Sequence, residues 1–316
     1  EIIEALLTKN RTIVTSDFEQ CLALVSGEIP LTIHRYPSGE EYGTWVVPDQ
    51  WDILKAELSD GDNVIASYHD HPLFIAPYSQ SFTGWVSREE LLQHVRSKPD
   101  IPEVYCYEHR LAYDFQRRLQ EWAISLPHSL LSTLGKPSYF VDIQVETKPS
   151  QMLVGDCTLT GNCDYTLAFL THLCHTGQAN DGLGGVAVGV ELMKRIQKEF
   201  PQRNYSYQLL AMPEMIGSTA YLVSNEDRIE SYLGAVFIEM PGIRSPLCLS
   251  HTRRGNTYLD RILHRAMTDR GVEFTEWGFG VPRGNDEKVF DSGGVGIPAA
   301  SIVRHPFPMY HSSGDD

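Results

Sequence analysis

Tyr165-Thr166-Leu167-Ala168-Phe169-Leu170-Thr171-His172-Leu173-Cys174-His175-Thr176-Gly177-Gln178-Ala179-Asn180-Asp181-Gly182 is the stretch whose reading decides the fold. Tyr165 to Leu170 is an apolar run that reads as a buried strand. Two histidines end it, and six residues after His175 comes an Asn-Asp-Gly turn. Val186 to Ile196 then reads as an amphipathic helix. Strand, polar loop and helix make one α/β unit, and in open α/β sheets sites form at the carboxyl ends of strands. Imidazole and carboxylate gathered there are ligand types that zinc prefers.

Working outward, the same alternation extends over the C-terminal half. The pattern predicts strands near 140–146, 151–158, 165–171, 206–212, 234–239 and 298–303, and helices near 183–198, 217–223 and 256–269. A mixed or parallel sheet covered on both faces follows. Toward the N-terminus, residues 1–27 carry helical periodicity through Ile2, Ile3, Leu6, Leu7, Phe18, Leu22, Leu24 and Val25. From Ile33 to Arg110 short β-rich runs alternate with Pro and Gly: Thr44 to Val47, Asn63 to Ala66 and Leu73 to Ala76. One helix, Ser87 to Val95, interrupts them, with Ser87 and Glu90 at capping-box spacing. The expected organisation is a small β-rich domain, residues 33–110, inserted into an α/β domain made of residues 1–32 and 111–316. No internal repeat is visible.

The chain has 316 residues, 42% of them hydrophobic, enough for a sizeable core. A net charge of −15 and a pI near 5.2 argue against a nucleic-acid surface. No apolar run approaches the roughly 20 residues of a membrane span. The six cysteines are scattered and read as reduced thiols of a cytoplasmic protein, although Cys157 and Cys163 flank a turn and could lie close together. No signal peptide is visible, and the chain opens on Glu1. Gly-x-Ser-x-Gly, the P-loop, a complete Gly-x-Gly-x-x-Gly and Cys-x-x-Cys are all missing, which disfavours serine hydrolases, P-loop enzymes and dinucleotide enzymes.

Several residues carry the right chemistry. His175 lies in a loop beside Thr-Gly and is free to act as a ligand, whereas His172 sits in the apolar run and reads as a core histidine. Residues three apart on a strand face opposite ways, so the two share a metal only if the strand has ended. Asp181 reads either as an ordinary turn residue or as a ligand. Glu214, in Met212-Pro213-Glu214-Met215, follows a strand and fits a general base beside a metal, or a carboxylate that favours a helix start. Glu239 ends the run Ala235 to Ile238, where an unpaired carboxylate is costly to bury. His311 follows a Pro-rich loop and is the better ligand candidate there; His305, before Pro306, reads as structural. His69-Asp70-His71 reads as a solvated hairpin.

In this order the segments resemble the bacterial aminopeptidase-like proteins of the polysaccharide-biosynthesis type, distant members of the co-catalytic zinc aminopeptidase clan. Tyr36-Pro37-Ser38-Gly39, Trp45 to Trp51 and Tyr78-Ser79 resemble the inserted domain of that family. Cys174-His175 with Ala179-Asn180-Asp181, Pro213-Glu214 with Ile216-Gly217-Ser218, and Arg253 with Gly255-Asn256-Thr257 resemble its catalytic-domain motifs. So do Arg283-Gly284-Asn285-Asp286-Glu287 and Tyr310-His311-Ser312-Ser313.

The resemblance implies a mixed sheet sandwiched by helices, with one or two Zn²⁺ ions at the strand ends. It implies His175, Asp181, Glu239 and His311 as metal ligands, with Asp181 the bridging carboxylate and Glu214 the general base. Arg253, Asp286 and Glu287 are candidates for holding the substrate's charged ends. The implied activity is hydrolysis of an amide bond beside a free amine, in a small peptide or aminoacyl amide. Two departures stand out. Glu214 is followed by Met215 where the clan has a second acid, and its His-x-Asp pair is replaced by His172-Leu173-Cys174. Glu239 fits the wider clan rather than the closer relatives. These leave open a ligand-binding protein without hydrolysis, or acyl transfer or cyclisation at one zinc. The oligomeric state, and whether the winged-helix segment of closer relatives follows residue 316, also stay open.

Overall fold

Thr166–His172 is apolar because parallel neighbours flank it on both edges and packed layers cover both of its faces. The computed structural model describes residues 1–113 and 121–316. In chain order its strands are β1 (Thr32–Pro37), β2 (Glu41–Tyr42), β3 (Trp45–Val46), β4 (Gln50–Ser59), β5 (Val64–Ser67), β6 (Phe82–Ser87), β7 (Val95–Arg96) and β8 (Ile124–Ser125). There follow β9 (Ser138–Lys148), β10 (Gln151–Leu159), β11 (Thr166–His172), β12 (Ser206–Met212), β13 (Tyr232–Glu239), β14 (Leu247–Ser250), β15 (Phe274–Trp277) and β16 (Ala299–Arg304).

The main sheet runs β1-β10-β12-β11-β13-β16-β14-β15. Its centre, β12-β11-β13-β16, is parallel, while β1, β10 and β14 join antiparallel to their inner neighbours. Alternate residues of β10 and β12 feed two cores. Leu153, Cys157, Leu209 and Ala211 pack with Phe18 and Leu22 of the helix Ser16–Ser26 and with Val186, Val190 and Met193 of the helix Gly185–Glu199. Met152, Val154, Leu210 and Met212 face the other way, toward Ile216, Ala220 and Leu222 of the helix Ile216–Val223. This is the mixed sheet sandwiched by helices that the alternation implied. The helix Gly185–Glu199 lies very close to the sheet: a Cβ on Gly185 would stand 2.4 Å from the carbonyl oxygen of Ile238. Thr15 caps the helix Ser16–Ser26 by accepting from the amide of Phe18 at 3.0 Å.

A second sheet, β5-β4-β9-β6, packs its Leu58, Val86, Val141 and Ile143 into the same core as Leu170 and Phe237 of the main sheet. The expected boundaries at 33 and 111 are corrected here. β1 lies inside the expected insert, yet it is the edge of the main sheet, with Tyr36 opposite Met152. β9 lies outside it, yet it is a central strand of the second sheet, paired with β4 and β6. The Thr44–Val47 run pairs only as the short hairpin β2-β3. Leu73 to Ala76 is not a strand; it begins in a 3₁₀ turn, Pro72–Phe74, in which the amide of Leu73 donates to the His71 ring. The six cysteines are free thiols. No helix among the described residues is long and apolar enough to cross a membrane.

Candidate metal centre and its cleft

The carboxyl ends of the four parallel strands deliver the candidate side chains to one place. β11 ends on His172 and leads into His175 and Asp181, β12 leads to Glu214, β13 ends on Glu239, and β16 leads to the loop carrying His311. His175, Asp181 and His311 offer donor atoms within 4.8 Å of one another. So do His172, Asp181 and Glu239, and so do His172, Cys174, His175 and Glu214. Asp181 is common to the first two groups.

His172 is therefore not a bystander in the core. β11 ends at His172, the alternation of a strand stops there, and the chain folds back so that the Nδ1 atoms of His172 and His175 lie 2.9 Å apart. His172 Nε2 faces Glu239 Oε2 at 2.8 Å. Burial opposes the charge on His172, but Glu239, a hydrogen bond with Cys174, and Asp181 hold its pKa well above the ordinary value. His175, equally buried, is held well below, burial being the largest cause. Asp181 stays ionised despite burial because His175, His311 and His172 surround it.

Glu214 is the carboxylate of the cluster that lines the open cleft. Its Oε2 is 3.4 Å from His175 Nε2, and its amide donates to Cys174 Sγ at 3.2 Å. Burial pushes its carboxyl up to about 8, and Asp286, Asp181 and Glu239 add to that against the opposing charge of His172. The side-chain amide of Asn285, turned to suit its surroundings, donates to Glu214 Oε1. Glu239 is pushed up to about 7, chiefly by burial.

Two residues of the site hold backbone conformations that side chains rarely adopt: Met215 at φ 62° and His311 at φ 54°. Asp286 explains how the first persists. Its Oδ1 accepts from the amide of Met215 at 2.8 Å and from Ser218 Oγ at 2.6 Å. Asp286 is thus a buried brace behind the Glu214 turn and not a cleft residue, correcting its expected place. Glu287 is also corrected: it is buried, and both its oxygens accept from the amide of Asn285. Arg253 is absent from the cleft lining; its Nε donates to the carbonyl of Asp291 at 2.8 Å and its amide to the Asp291 carboxylate. The backbone of His305 donates to Pro246 and its ring packs on Trp277 and Phe307, a structural role.

Arg11 and Asp315 escaped the sequence reading. Arg11 is wholly buried and donates to the carbonyls of Leu6, Leu173, His175 and Gln178, clamping the His175 loop. Asp315 Oδ2 accepts from the amides of Asn180 and Asp181 at 3.0 and 2.8 Å and fixes the turn that carries Asp181. Both act on backbone groups far away in sequence, which no local pattern signals. Gly182 completes that turn at φ 106°, where a Cβ would meet the carbonyl of His172 at 2.7 Å.

The residues fit a metal ion. Asp181 Oδ2, Glu239 Oε1 and His311 Nε2 are buried, yet none has a hydrogen-bond partner among the described residues. His311 Nε2 lies 3.2 Å from Asp181 Oδ2 but off the line of a hydrogen bond, so the two donors converge without satisfying each other. A set rich in imidazole selects a zinc-type ion over the oxygen-seeking Mg²⁺ or Ca²⁺. The cleft above encloses about 1030 Å³. Its walls come from Val95 to Lys98, Cys106 to His109, Tyr113, residues of the 280–288 segment and Tyr310-His311, with Trp45 of the β2-β3 hairpin.

A parallel-centred sheet with histidines and carboxylates at its strand ends defines an aminopeptidase-like α/β protein. Over residues 1–316 the chain belongs to the family described as "Domain of unknown function (DUF4910)". It is 28% identical over 322 residues to a Clostridium acetobutylicum protein described by polysaccharide biosynthesis and an aminopeptidase-like domain, covering all of this chain and 71% of that protein. A crystal structure of a protein described as a peptidase from Clostridium acetobutylicum superposes with a TM-score of 0.91 at 25% identity, covering 100% of this chain and 73% of that one. A zinc aminopeptidase of Bacillus subtilis shares the fold, with a TM-score of 0.68 at 13% identity over 100% of this chain and 88% of that one.

Proposed function

We propose that this protein is a zinc-dependent hydrolase of amide bonds next to a free amine. The observation that carries the reading is the pair of donor groups sharing Asp181, directly below a cleft lined by Glu214. His175, Asp181 and His311 would hold one ion, and His172, Asp181 and Glu239 a second. When bound, such an ion lowers the pKa of water and polarises a carbonyl.

The protein's own residues do the rest. Glu214, with its affinity for a proton raised to about 8, takes a proton at Oε2 and returns it to the leaving amine. Asn285 and the Asp286-braced turn aim that carboxylate. Arg11 and Asp315 keep His175 and Asp181 in register. The excess of carboxylates at the cluster draws the cationic end of an aminoacyl substrate toward it. One observation favours a second reading, binding without hydrolysis: Met215 presents a thioether to the cleft where the clan carries its second acid.

Elemental analysis of the purified protein, followed by a screen of aminoacyl amides and the Glu214→Gln variant, tests the proposal. The expected result is bound zinc, turnover of an aminoacyl amide, and a fall of about 10²–10⁴ in rate for Glu214→Gln with zinc content kept. Loss of zinc along with activity would make Glu214 a ligand. Zinc-loaded protein that binds but cleaves no aminoacyl amide would overturn hydrolysis in favour of the binder.

A further inference from the structure

One wall of the cleft is cationic. Lys98, Arg283 and Lys288 all line it, and none of the three forms an ion pair with a described residue. Of the acids that line the same cleft among the described residues, Glu108 is paired with Arg96 and Glu214 belongs to the candidate metal centre, so in a chain of 41 acidic against 26 basic residues these three cations are left without an ionic partner there.

Their positions are held by packing. The Arg283 guanidinium carbon lies 4.3 Å above the Tyr310 ring, and that ring stacks on His311 at 3.7 Å between centroids. Lys98 Nζ donates to the carbonyl of Tyr310. Burial first, then the neighbouring charge of Arg283, holds Lys98 below its ordinary range, so two like charges are kept close in a partly dry wall. Lys288 reaches the cleft between two glycines: a Cβ on Gly280 or Gly284 would stand 2.7 or 1.7 Å from its Cε. The cationic wall thus begins one aromatic ring away from a candidate metal ligand.

We propose that Lys98, Arg283 and Lys288 form an anion subsite that binds a carboxylate or phosphate group on the molecule whose reacting amide lies over Glu214. This rests on the hydrolase reading for the amide end only. One ring's thickness beyond His311 is within reach of about two residues of extended chain, at roughly 3.5 Å each. A short peptide's own terminal carboxylate therefore fits. A guanidinium and two ammonium groups also suit a phosphate, and the two sources share this chemistry.

The test uses titration calorimetry on the protein and on Glu214→Gln, the latter to prevent turnover. The probes are a dipeptide with a free C-terminal carboxylate, the same dipeptide amidated, and inorganic phosphate. Lys98→Met and Arg283→Met are measured beside them, with thermal unfolding to confirm that each folds. Arg283 is exposed, which makes its variant the safer one. The expected result is a preference of about tenfold or more for the free carboxylate, lost in both variants and weakened by salt. Phosphate binding that both variants weaken, without a preference between the dipeptides, also supports the subsite and assigns it to a phosphate-bearing ligand. Equal affinity for acid and amide, with phosphate binding absent or untouched by the variants, overturns it. Failure of the hydrolase reading would show separately, as no turnover by the wild type while anion binding persists.

Discussion

Asp286 spends its carboxylate on the backbone of Met215 and the hydroxyl of Ser218, not on a ligand. Asp286→Asn keeps an acceptor at Oδ1 and should leave stability and turnover close to wild type. Asp286→Ala strands two buried donors at about 1–3 kcal/mol each, and it releases a turn whose φ of 62° needs support. Urea unfolding and turnover measured on the pair check this; an Asn variant as damaged as the Ala variant would mean that the charge itself matters. Arg11 makes the same point more strongly. Arg11→Met removes the donor for four buried carbonyls and should cost at least about 3 kcal/mol. Arg11→Lys cannot span that fork and should recover only part. On the proposed zinc reading, zinc affinity should fall in parallel, because the carbonyls of Leu173, His175 and Gln178 set the loop that carries an imidazole. Of the cluster itself, His175, Asp181, Glu214 and His311 were legible because they follow strands. His172 was not, since the strand's alternation was carried on through His175, whereas β11 ends at His172.

Elements show where sequence patterns speak and where they fall silent. The helix Tyr258–Asp269 opens with Thr257 and Asp260 in a full capping box, a purely local device. Thr257→Ala should cost about 1 kcal/mol in urea unfolding and leave zinc binding alone. Asp156, by contrast, ties elements that are distant in sequence: His34 on β1 at 3.2 Å, Gln208 on β12 at 2.9 Å and Tyr221 on the helix Ile216–Val223 at 3.2 Å. Burial alone would raise its pKa, but hydrogen bonds from His34, Thr158 and Gln208 outweigh it and hold the carboxyl below the ordinary 3.8. A depressed folded pKa contributes stability above the unfolded value, and that contribution is lost as pH falls through the folded one. The stability gap between wild type and Asp156→Asn should therefore be constant above pH 3.8 and narrow below it. A gap that widens on acidification would mean that another group is the acid-sensitive one.

At the scale of the molecule, the strands that alternate with helices were legible, because buried parallel strands are short apolar runs and the helices between them are amphipathic. Sheet membership was not. β9 and β10 are separated by two residues, Pro149 and Ser150, and have similar composition, yet they enter different sheets. Composition records how buried a strand is and not which neighbour it pairs with, so the boundary at residue 33 fell inside the main sheet's edge strand. The shared core makes a further claim testable. Leu58, Val141 and Ile143 of the second sheet belong to one continuous cluster with Leu170, Leu210 and Phe237 of the main sheet. Unfolding one sheet would expose the other's packed face, so the two should unfold together. Trp51 and Trp85 lie in the second sheet and Trp122 stacks on its Phe82, whereas Trp45 lies in the β2-β3 hairpin and Trp277 on the main sheet, so tryptophan fluorescence reports chiefly on the second sheet. Far-ultraviolet circular dichroism reports chiefly on the long helices of the main layer. The two urea curves should coincide. Leu58→Ala, a wholly buried truncation costing about 2–5 kcal/mol, should shift both by the same amount. A fluorescence transition that moves to lower urea alone, leaving the dichroism curve in place, would show that the second sheet is an independently folding unit that merely rests on the cleft.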